Sequence, residues 1–147
     1  MVVALYNKIH VFSFPNDCKK LFTFSTSDNP RGLLELSSND DEFELLCFPA
    51  VKSGFMQVAD ISQTEESASK CPRIFQAHKH EIACIALDQS SHRLATASVE
   101  GTLIRIFEVS PKSEIKQLIE LRRGLDTALL YSITVSRDGG YLGASSY

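Results

Sequence analysis

The sequence lacks the long apolar stretches that carry a chain into or across a membrane. No run approaches the roughly 18 to 20 uninterrupted apolar residues that a spanning helix needs. The N-terminal stretch holds Lys8 and His10 among its apolar residues and has neither a basic start nor a small-residue cleavage site, so it does not resemble a signal peptide. We therefore expect a cytoplasmic protein whose contact with membranes is peripheral.

Closely spaced cysteines are also absent. The four cysteines form no C-x-x-C pair, and no histidine pair at zinc-finger spacing accompanies them. We expect four reduced thiols, of which Cys47 and Cys84 lie inside apolar runs and act as small hydrophobic side chains. A zinc site built from these cysteines is disfavoured.

An excess of basic residues is missing too. Lys and Arg number 15 against 18 Asp and Glu, which gives a net charge of −3. Broad electrostatic binding of nucleic acid needs a large basic face that displaces counterions from the phosphates. We therefore expect no nucleic-acid partner, and any recognition of an anion must be local. No nucleophile elbow, metalloprotease helix, P-loop or dinucleotide fingerprint is present, so we expect neither an enzyme nor a bound cofactor.

What the sequence does contain is a repeat at a spacing of 48 residues. The segments 82–87 and 130–135 match without a gap, and 93–98 falls on 141–146 at the same offset. The segment 101–107 likewise resembles 8–12 and 54–58. Repetition therefore extends over the whole chain.

Each repeat contains short segments rich in Val, Ile, Leu, Phe and Thr, punctuated by turn residues, which predicts about four strands per unit. Units slightly longer than 40 to 45 residues with this content favour an all-β propeller, here partial, with about three blades. We predict the end of one blade at 1–28, blades at 29–76 and 77–124, and the start of another at 125–147. The apolar residues of the stretch 114–121 could lie on one side of a short helix, but the place of this stretch in the repeat predicts a strand.

Two polar segments are predicted to be surface connections. Residues 60–72 show no periodic spacing of apolar residues, which predicts a long loop. Asp40, Asp41 and Glu42 are predicted to form an acidic, solvated tip between strands.

The adjacent residues Arg122 and Arg123 are the sharpest candidate for a binding site. The planar guanidinium offers paired donors that match two phosphate oxygens and stays charged at physiological pH. Successive residues on a strand point to opposite faces, so the two arginines should serve two separate anion sites. An Arg-Arg pair by itself is more often a solvated surface feature.

Four motifs surround or precede these arginines: GTLIRIF at 101–107, ELRRG at 120–124, SFP at 13–15 and DNPRGL at 28–33. Together they resemble the PROPPIN family, the WD-repeat propellers that bind phosphoinositides on autophagic membranes, and the resemblance covers the chain almost end to end. It implies seven blades, of which this chain supplies about three, and binding of phosphatidylinositol 3-phosphate and the 3,5-bisphosphate in two rim pockets. In WD repeats, a histidine placed like His78 forms a hydrogen bond within its blade, which is favoured over a metal site with His80.

The resemblance also implies which residues bind the lipid. The first pocket would use Arg122 with Arg105, and with the hydroxyls of Ser98 and Thr102 on the neighbouring blade. The second would use Arg123 and Ser146, and the part of it that would follow Tyr147 is missing. Relatives commonly carry Lys or Gln where this chain has Glu100, whose carboxylate should weaken the first pocket.

The sequence therefore predicts a peripheral adaptor on preautophagosomal membranes that captures a lipid headgroup and presents other faces to autophagy lipid-transfer or scaffold proteins. One alternative is a protein-interaction propeller fragment without lipid binding, which docks through the turn at 28–33. Another is a truncated product with little function of its own.

Overall fold

The computed structural model describes residues 1–37, 43–62, 71–88 and 92–147. Within these ranges every regular element is a β-strand, which confirms the all-β prediction, and no helix suited to crossing a bilayer occurs there. The strands are β1 (Val2–Ala4), β2 (Lys8–Phe12), β3 (Lys20–Ser25), β4 (Glu35–Leu36), β5 (Leu45–Pro49), β6 (Phe55–Asp60), β7 (Arg73–Gln76), β8 (Ile82–Asp88), β9 (Arg93–Ser98), β10 (Leu103–Glu108), β11 (Lys116–Arg122), β12 (Leu130–Val135) and β13 (Leu142–Ser146).

The strands form four antiparallel sheets in which every strand pairs with its neighbours in sequence. The orders are β1-β2-β3, β4-β5-β6-β7, β8-β9-β10-β11 and β12-β13. Each sheet falls inside one of the four ranges into which the sequence divides the chain. The predicted strand at 114–121 is present as β11, the fourth strand of its sheet, at the place that β7 holds in the preceding one.

Three apolar cores lie between consecutive sheets. Ile9 and Val11 of the first sheet pack against Leu46 and Phe48 of the second, and Met56 belongs to the next core, shared with the third sheet. The last core joins β8–β10 to β12. Because sheets cover both of its faces, β8 is buried at all seven positions, which explains why its sequence, IACIALD, is an almost continuous apolar run.

The repeat seen in the sequence is a repeat of strand positions. The matching segments 82–87 and 130–135 belong to β8 and β12, the first strands of their sheets, and 93–98 and 141–146 contain β9 and β13, the second strands. The prediction of structural repetition at this spacing is confirmed.

Two glycines show how one sheet is joined to the next. Gly54 and Gly101 occupy equivalent turns before the third strands, with left-handed φ angles of 79° and 66°. A β-carbon at Gly54 would overlap the carbonyl oxygen of His78, and one at Gly101 would overlap that of Ala128. Each turn therefore lies against the chain entering the following sheet, at a distance that only glycine permits.

The predicted burial of two cysteines is confirmed. Cys47 and Cys84 are buried, whereas Cys18 and Cys71 are exposed, and all four are free thiols. Burial raises the pKa of the Cys47 thiol to about 12, so it stays protonated and behaves as an apolar side chain. The acidic tip at 40–42 and most of the connection at 60–72 fall outside the described residues.

Candidate phosphate-binding site

A cavity of about 160 Å³ opens at one end of the sheet β8–β11. Its wall is formed by the end of β9, the β9–β10 turn, the start of β10 and the segment that leads into β8. The lining residues are His78, Lys79, Ser98, Glu100, Thr102, Leu103 and Arg105. Two hydroxyls, an ammonium group and a guanidinium group therefore converge on one small space, which suits a phosphate.

Three of the residues predicted for the first pocket, Ser98, Thr102 and Arg105, line this cavity together. Arg122 lies beside it, because it pairs with Leu103 across β10 and β11, and paired residues share a face of a sheet. The Arg122 side chain is exposed, and among the residues described it forms no hydrogen bond or ion pair. Its donors are available for a ligand.

The prediction that Ser98 and Thr102 belong to a neighbouring blade is wrong. Ser98 ends β9, Thr102 precedes β10, and Arg122 ends β11, which are consecutive strands of one sheet. The reason is that β9, β10 and β11 form a continuous antiparallel meander, so the whole GTLIR to LRRG stretch builds a single sheet. The preceding sheet contributes through the chain that leaves it, at His78 and Lys79.

Arg105 is already engaged on two sides. Its Nη1 donates to the main-chain oxygen of Ala77 at 2.7 Å, and its Nε donates to the Glu120 carboxylate at 2.8 Å. The first contact ties β10 to the end of the preceding sheet. The second puts a carboxylate on the guanidinium that the resemblance assigns to phosphate.

His78 forms the predicted hydrogen bond within its sheet. Its Nε2 lies 3.0 Å from the Thr96 hydroxyl on β9, and the side chain is buried. Burial is the main reason that the pKa of His78 falls from 6.5 to about 4, so the ring is neutral at physiological pH. His78 therefore supports the wall of the cavity without adding charge to it.

Glu100 stands at the mouth of the cavity next to His80. The carboxylate lies 3.2 Å from His80 Nε2, and both side chains are about half exposed. The carboxylate that the sequence predicts to oppose phosphate is thus a lining group of this cavity. Within the described ranges no three metal-ligating side chains come together around either histidine.

The residues predicted for the second pocket are not brought into contact. Arg123 donates from Nε to the Gly101 oxygen and from Nη2 to the Asp126 oxygen, both at 2.6 Å. Ser146 pairs with Leu130 at the end of β13. Arg123 lies on the side of the sheet opposite to Arg122, but its donors serve the main chain of the β9–β10 turn and of the connection between β11 and β12.

The turn at 28–33, the docking surface of the alternative interpretation, is used for packing. Asn29 is buried and exchanges hydrogen bonds with the main chain of Leu33, and Arg31 donates to the Ala83 oxygen at 3.2 Å. The Arg31 contact connects the turn to the third sheet, whereas Asn29 holds the turn itself together. Asp28, Pro30, Arg31 and Gly32 remain exposed.

Comparison with known proteins decides the family. The profile of the PROPPIN family matches residues 1–147. The chain belongs to the PROPPIN family. Among its relatives are autophagy-related protein 18 of Dictyostelium discoideum, 35% identical over 147 residues, and WD repeat domain phosphoinositide-interacting protein 2 of Mus musculus, 34% identical over 148 residues. Each alignment covers 99% of this chain, and 37% and 31%, respectively, of the relative.

A solved structure of Hsv2 from Kluyveromyces lactis superimposes with a TM-score of 0.81 and 26% identity. That match covers 99% of this chain and 42% of Hsv2. The four stacked sheets are therefore part of a β-propeller, as predicted, and the chain spans less than half the length of these PROPPIN relatives.

Sequence reasoning missed Lys79, which lines the cavity, and Glu120, which pairs with the lining residue Arg105. No sequence pattern indicated Lys79, because its position at the cavity depends on how the chain enters β8. Glu120 carried a usable signal, because it lies two residues before Arg122 and therefore shares its face of β11. Both residues change the charge that a phosphate would meet.

Proposed function

We propose that this protein is a phosphoinositide-binding peripheral membrane adaptor in autophagy that catalyses no reaction. Its ligands are phosphatidylinositol 3-phosphate and phosphatidylinositol 3,5-bisphosphate, and its location is the cytoplasmic surface of preautophagosomal membranes. The observation that carries the proposal is the convergence of Ser98, Thr102 and Arg105 on one cavity, beside an unengaged Arg122. The names of the mouse and Dictyostelium relatives agree with this assignment.

The chemistry of the cavity suits a phosphate monoester on a sugar-like ring. Hydroxyl groups of Ser98 and Thr102 can donate to phosphate oxygens, and Lys79 and Arg122 supply positive charge. The neutral His78 forms part of the wall without adding charge. A phosphate held this way stands at the rim of the sheet, where a headgroup on a membrane surface can reach it.

Vesicle flotation tests the proposal. The wild-type chain should float with vesicles that contain phosphatidylinositol 3-phosphate, and with the 3,5-bisphosphate, but not with vesicles of unphosphorylated phosphatidylinositol. Arg122→Lys should lose at least about tenfold in affinity although it keeps the charge, because Lys lacks the paired donors of guanidinium.

Arg137→Lys is the matched control. Arg137 is an exposed arginine in the turn between β12 and β13, at the opposite end of the sheets from the cavity. This variant should bind as the wild type does. Equal binding by Arg122→Lys and wild type would mean that Arg122 contributes only a nonspecific field, worth about 1 kcal/mol per basic residue at an anionic surface.

We further propose that autophagy lipid-transfer or scaffold proteins bind other faces of the protein. Recovery of such proteins with wild type and with Arg122→Lys would separate this role from lipid capture. If the partners are recruited through the membrane alone, Arg122→Lys should lose them; if they bind the protein directly, it should keep them.

A further inference from the structure

The Glu120 carboxylate forms an ion pair with the guanidinium group of Arg105, a residue of the candidate site. Arg105 and Glu120 are directly opposite each other on β10 and β11, and the Nε to Oε2 distance is 2.8 Å. Glu120 shares its face of β11 with Arg122, two positions further along the strand. A carboxylate thus sits between the two guanidinium groups that the proposed function assigns to phosphate.

The geometry of this ion pair makes the carboxylate easy to displace. Only Nε of Arg105 contacts Glu120, so the pair lacks the bidentate form that makes such contacts strong. The Glu120 side chain is 41% exposed, and ion pairs of this kind contribute little to stability. The carboxylate can move into water at small cost.

The guanidinium, in contrast, is held in place independently of Glu120. Nη1 of Arg105 donates to the Ala77 oxygen at 2.7 Å, and the Arg105 side chain is only 23% exposed. This bond remains when the carboxylate leaves. Arg105 would therefore meet an incoming phosphate already oriented, with Nε as the donor that changes partner.

We propose that Glu120 is a built-in competitor that lowers the affinity of the site for a phosphate monoester. This inference rests on the proposed function. The carboxylate substitutes for phosphate on Arg105 in the empty site, and it repels the dianion that replaces it. Its presence keeps a single site weak, so stable attachment to a membrane requires many headgroups or additional contacts.

The test is a gain of binding. Glu120→Gln keeps the shape of the side chain and an oxygen that can accept from Arg105, but it removes the charge. We expect about a fivefold higher affinity for vesicles that contain phosphatidylinositol 3-phosphate, the effect of deleting one repulsive charge at a partly exposed site. Glu120→Thr, which suits a strand and is too short to reach Arg105, should give a similar gain.

Glu108→Gln is the matched control. Glu108 forms an ion pair with Lys116 at 3.1 Å across the same two strands, at the end of the ladder away from the cavity. Its neutralisation changes the net charge of the protein by the same amount. We expect this variant to bind as the wild type does, so equal gains in both variants would overturn the inference.

Soluble ligands distinguish the phosphate group from the membrane surface. Titration with inositol 1,3-bisphosphate and with inorganic phosphate should show the same direction of change for Glu120→Gln, because the contact is with phosphate. A gain restricted to vesicles of phosphatidylserine would overturn the inference, since it would reflect surface charge alone.

The remaining outcomes separate the two proposals. If both Glu120 variants bind as tightly as the wild type or more weakly, the inference is overturned and the proposed function stands; weaker binding would mean that Glu120 positions Arg105 instead of competing with phosphate. Absence of binding by the wild type and by every variant would overturn the proposed function and the inference with it. Binding by the Glu120 variants alone would support both.

Discussion

Gln57 and Arg105 hold equivalent positions on the third strands of successive sheets, and each donates a hydrogen bond to the main chain of the sheet before it. Gln57 Nε2 reaches the Ser25 oxygen at 2.8 Å, as Arg105 Nη1 reaches Ala77. Gln57 is buried and has no place in the candidate site. The contact with the preceding sheet therefore holds adjacent sheets together. Arg105 makes this contact and also lines the cavity.

Gln57→Ala should destabilise the protein without changing the candidate site. The substitution removes the amide donor of a buried side chain from the main-chain oxygens of Ser25 and Pro49, at a cost of about 1–3 kcal/mol. Urea unfolding measures the change. Gln117→Ala, at an exposed position of β11, should change stability by less than about 0.5 kcal/mol. Equal stability of both variants would show that the contact between sheets is energetically neutral.

Gly101→Ala should be much more costly than Gly124→Ala. Gly101 has a left-handed φ, and an added β-carbon would overlap the Ala128 carbonyl, whereas Gly124 has open space around it. We expect a loss of at least about 2 kcal/mol at position 101. Thermal or urea unfolding of the pair checks this, and similar midpoints would contradict the close packing described for the β9–β10 turn.

Stability should fall with acid through His78. Its pKa is lowered to about 4 in the folded protein, mainly by burial, against 6.5 for an unperturbed histidine. As pH falls below about 6.5, the unfolded chain takes up the proton first, so the free energy of unfolding decreases until pH reaches about 4. The loss amounts to at most about 3 kcal/mol.

Unfolding by urea between pH 7 and pH 4 measures this dependence. His78→Gln should flatten the profile relative to wild type. His10→Gln is the control, because His10 also contacts a threonine hydroxyl, that of Thr23 at 2.9 Å, but is less buried. If wild type and His78→Gln lose stability in parallel, His78 does not titrate as its burial indicates.

Alanine substitutions of the two adjacent arginines should affect different properties, binding for Arg122 and stability for Arg123. Arg122→Ala should abolish flotation with phosphatidylinositol 3-phosphate vesicles while leaving stability nearly unchanged, since Arg122 is exposed and unengaged. Arg123→Ala should lower stability by about 1–3 kcal/mol, because it removes donors from the Gly101 and Asp126 oxygens, and the folded variant should still bind. Equal losses of binding in both variants, or a loss confined to Arg123→Ala, would contradict the assignment of lipid binding to Arg122.

Much of the fold could be predicted because it depends on local patterns. The apolar run at 82–88 is buried on both faces, and its match at 130–135 takes the same place in the next sheet. The stretch that becomes β11 shows the limit of periodicity, since its four apolar residues over about two turns also suit a helix. Its position in the repeat resolved the ambiguity.

The candidate site could be predicted only in part, because it depends on register and on the approach of separate segments. Alternation along a strand separates Arg122 from Arg123, but it does not tell which residue of β10 lies opposite Glu120. That pairing is set by the connection at 109–115, whose length no periodic pattern determines. The contribution of Lys79 depends in the same way on the close approach of Gly54 to His78.

The pairing of each strand with its sequence neighbours has a consequence for synthesis of the chain. A sheet such as β4–β7 contains all of its own hydrogen-bond partners, so it can assemble before the strands of the next sheet have formed. Its second apolar face, with Leu45 and Met56, remains uncovered until Ile85 and Leu94 of the next sheet pack against it. The nascent chain therefore exposes this apolar face until the third sheet forms, and the face is a point at which a chaperone would act.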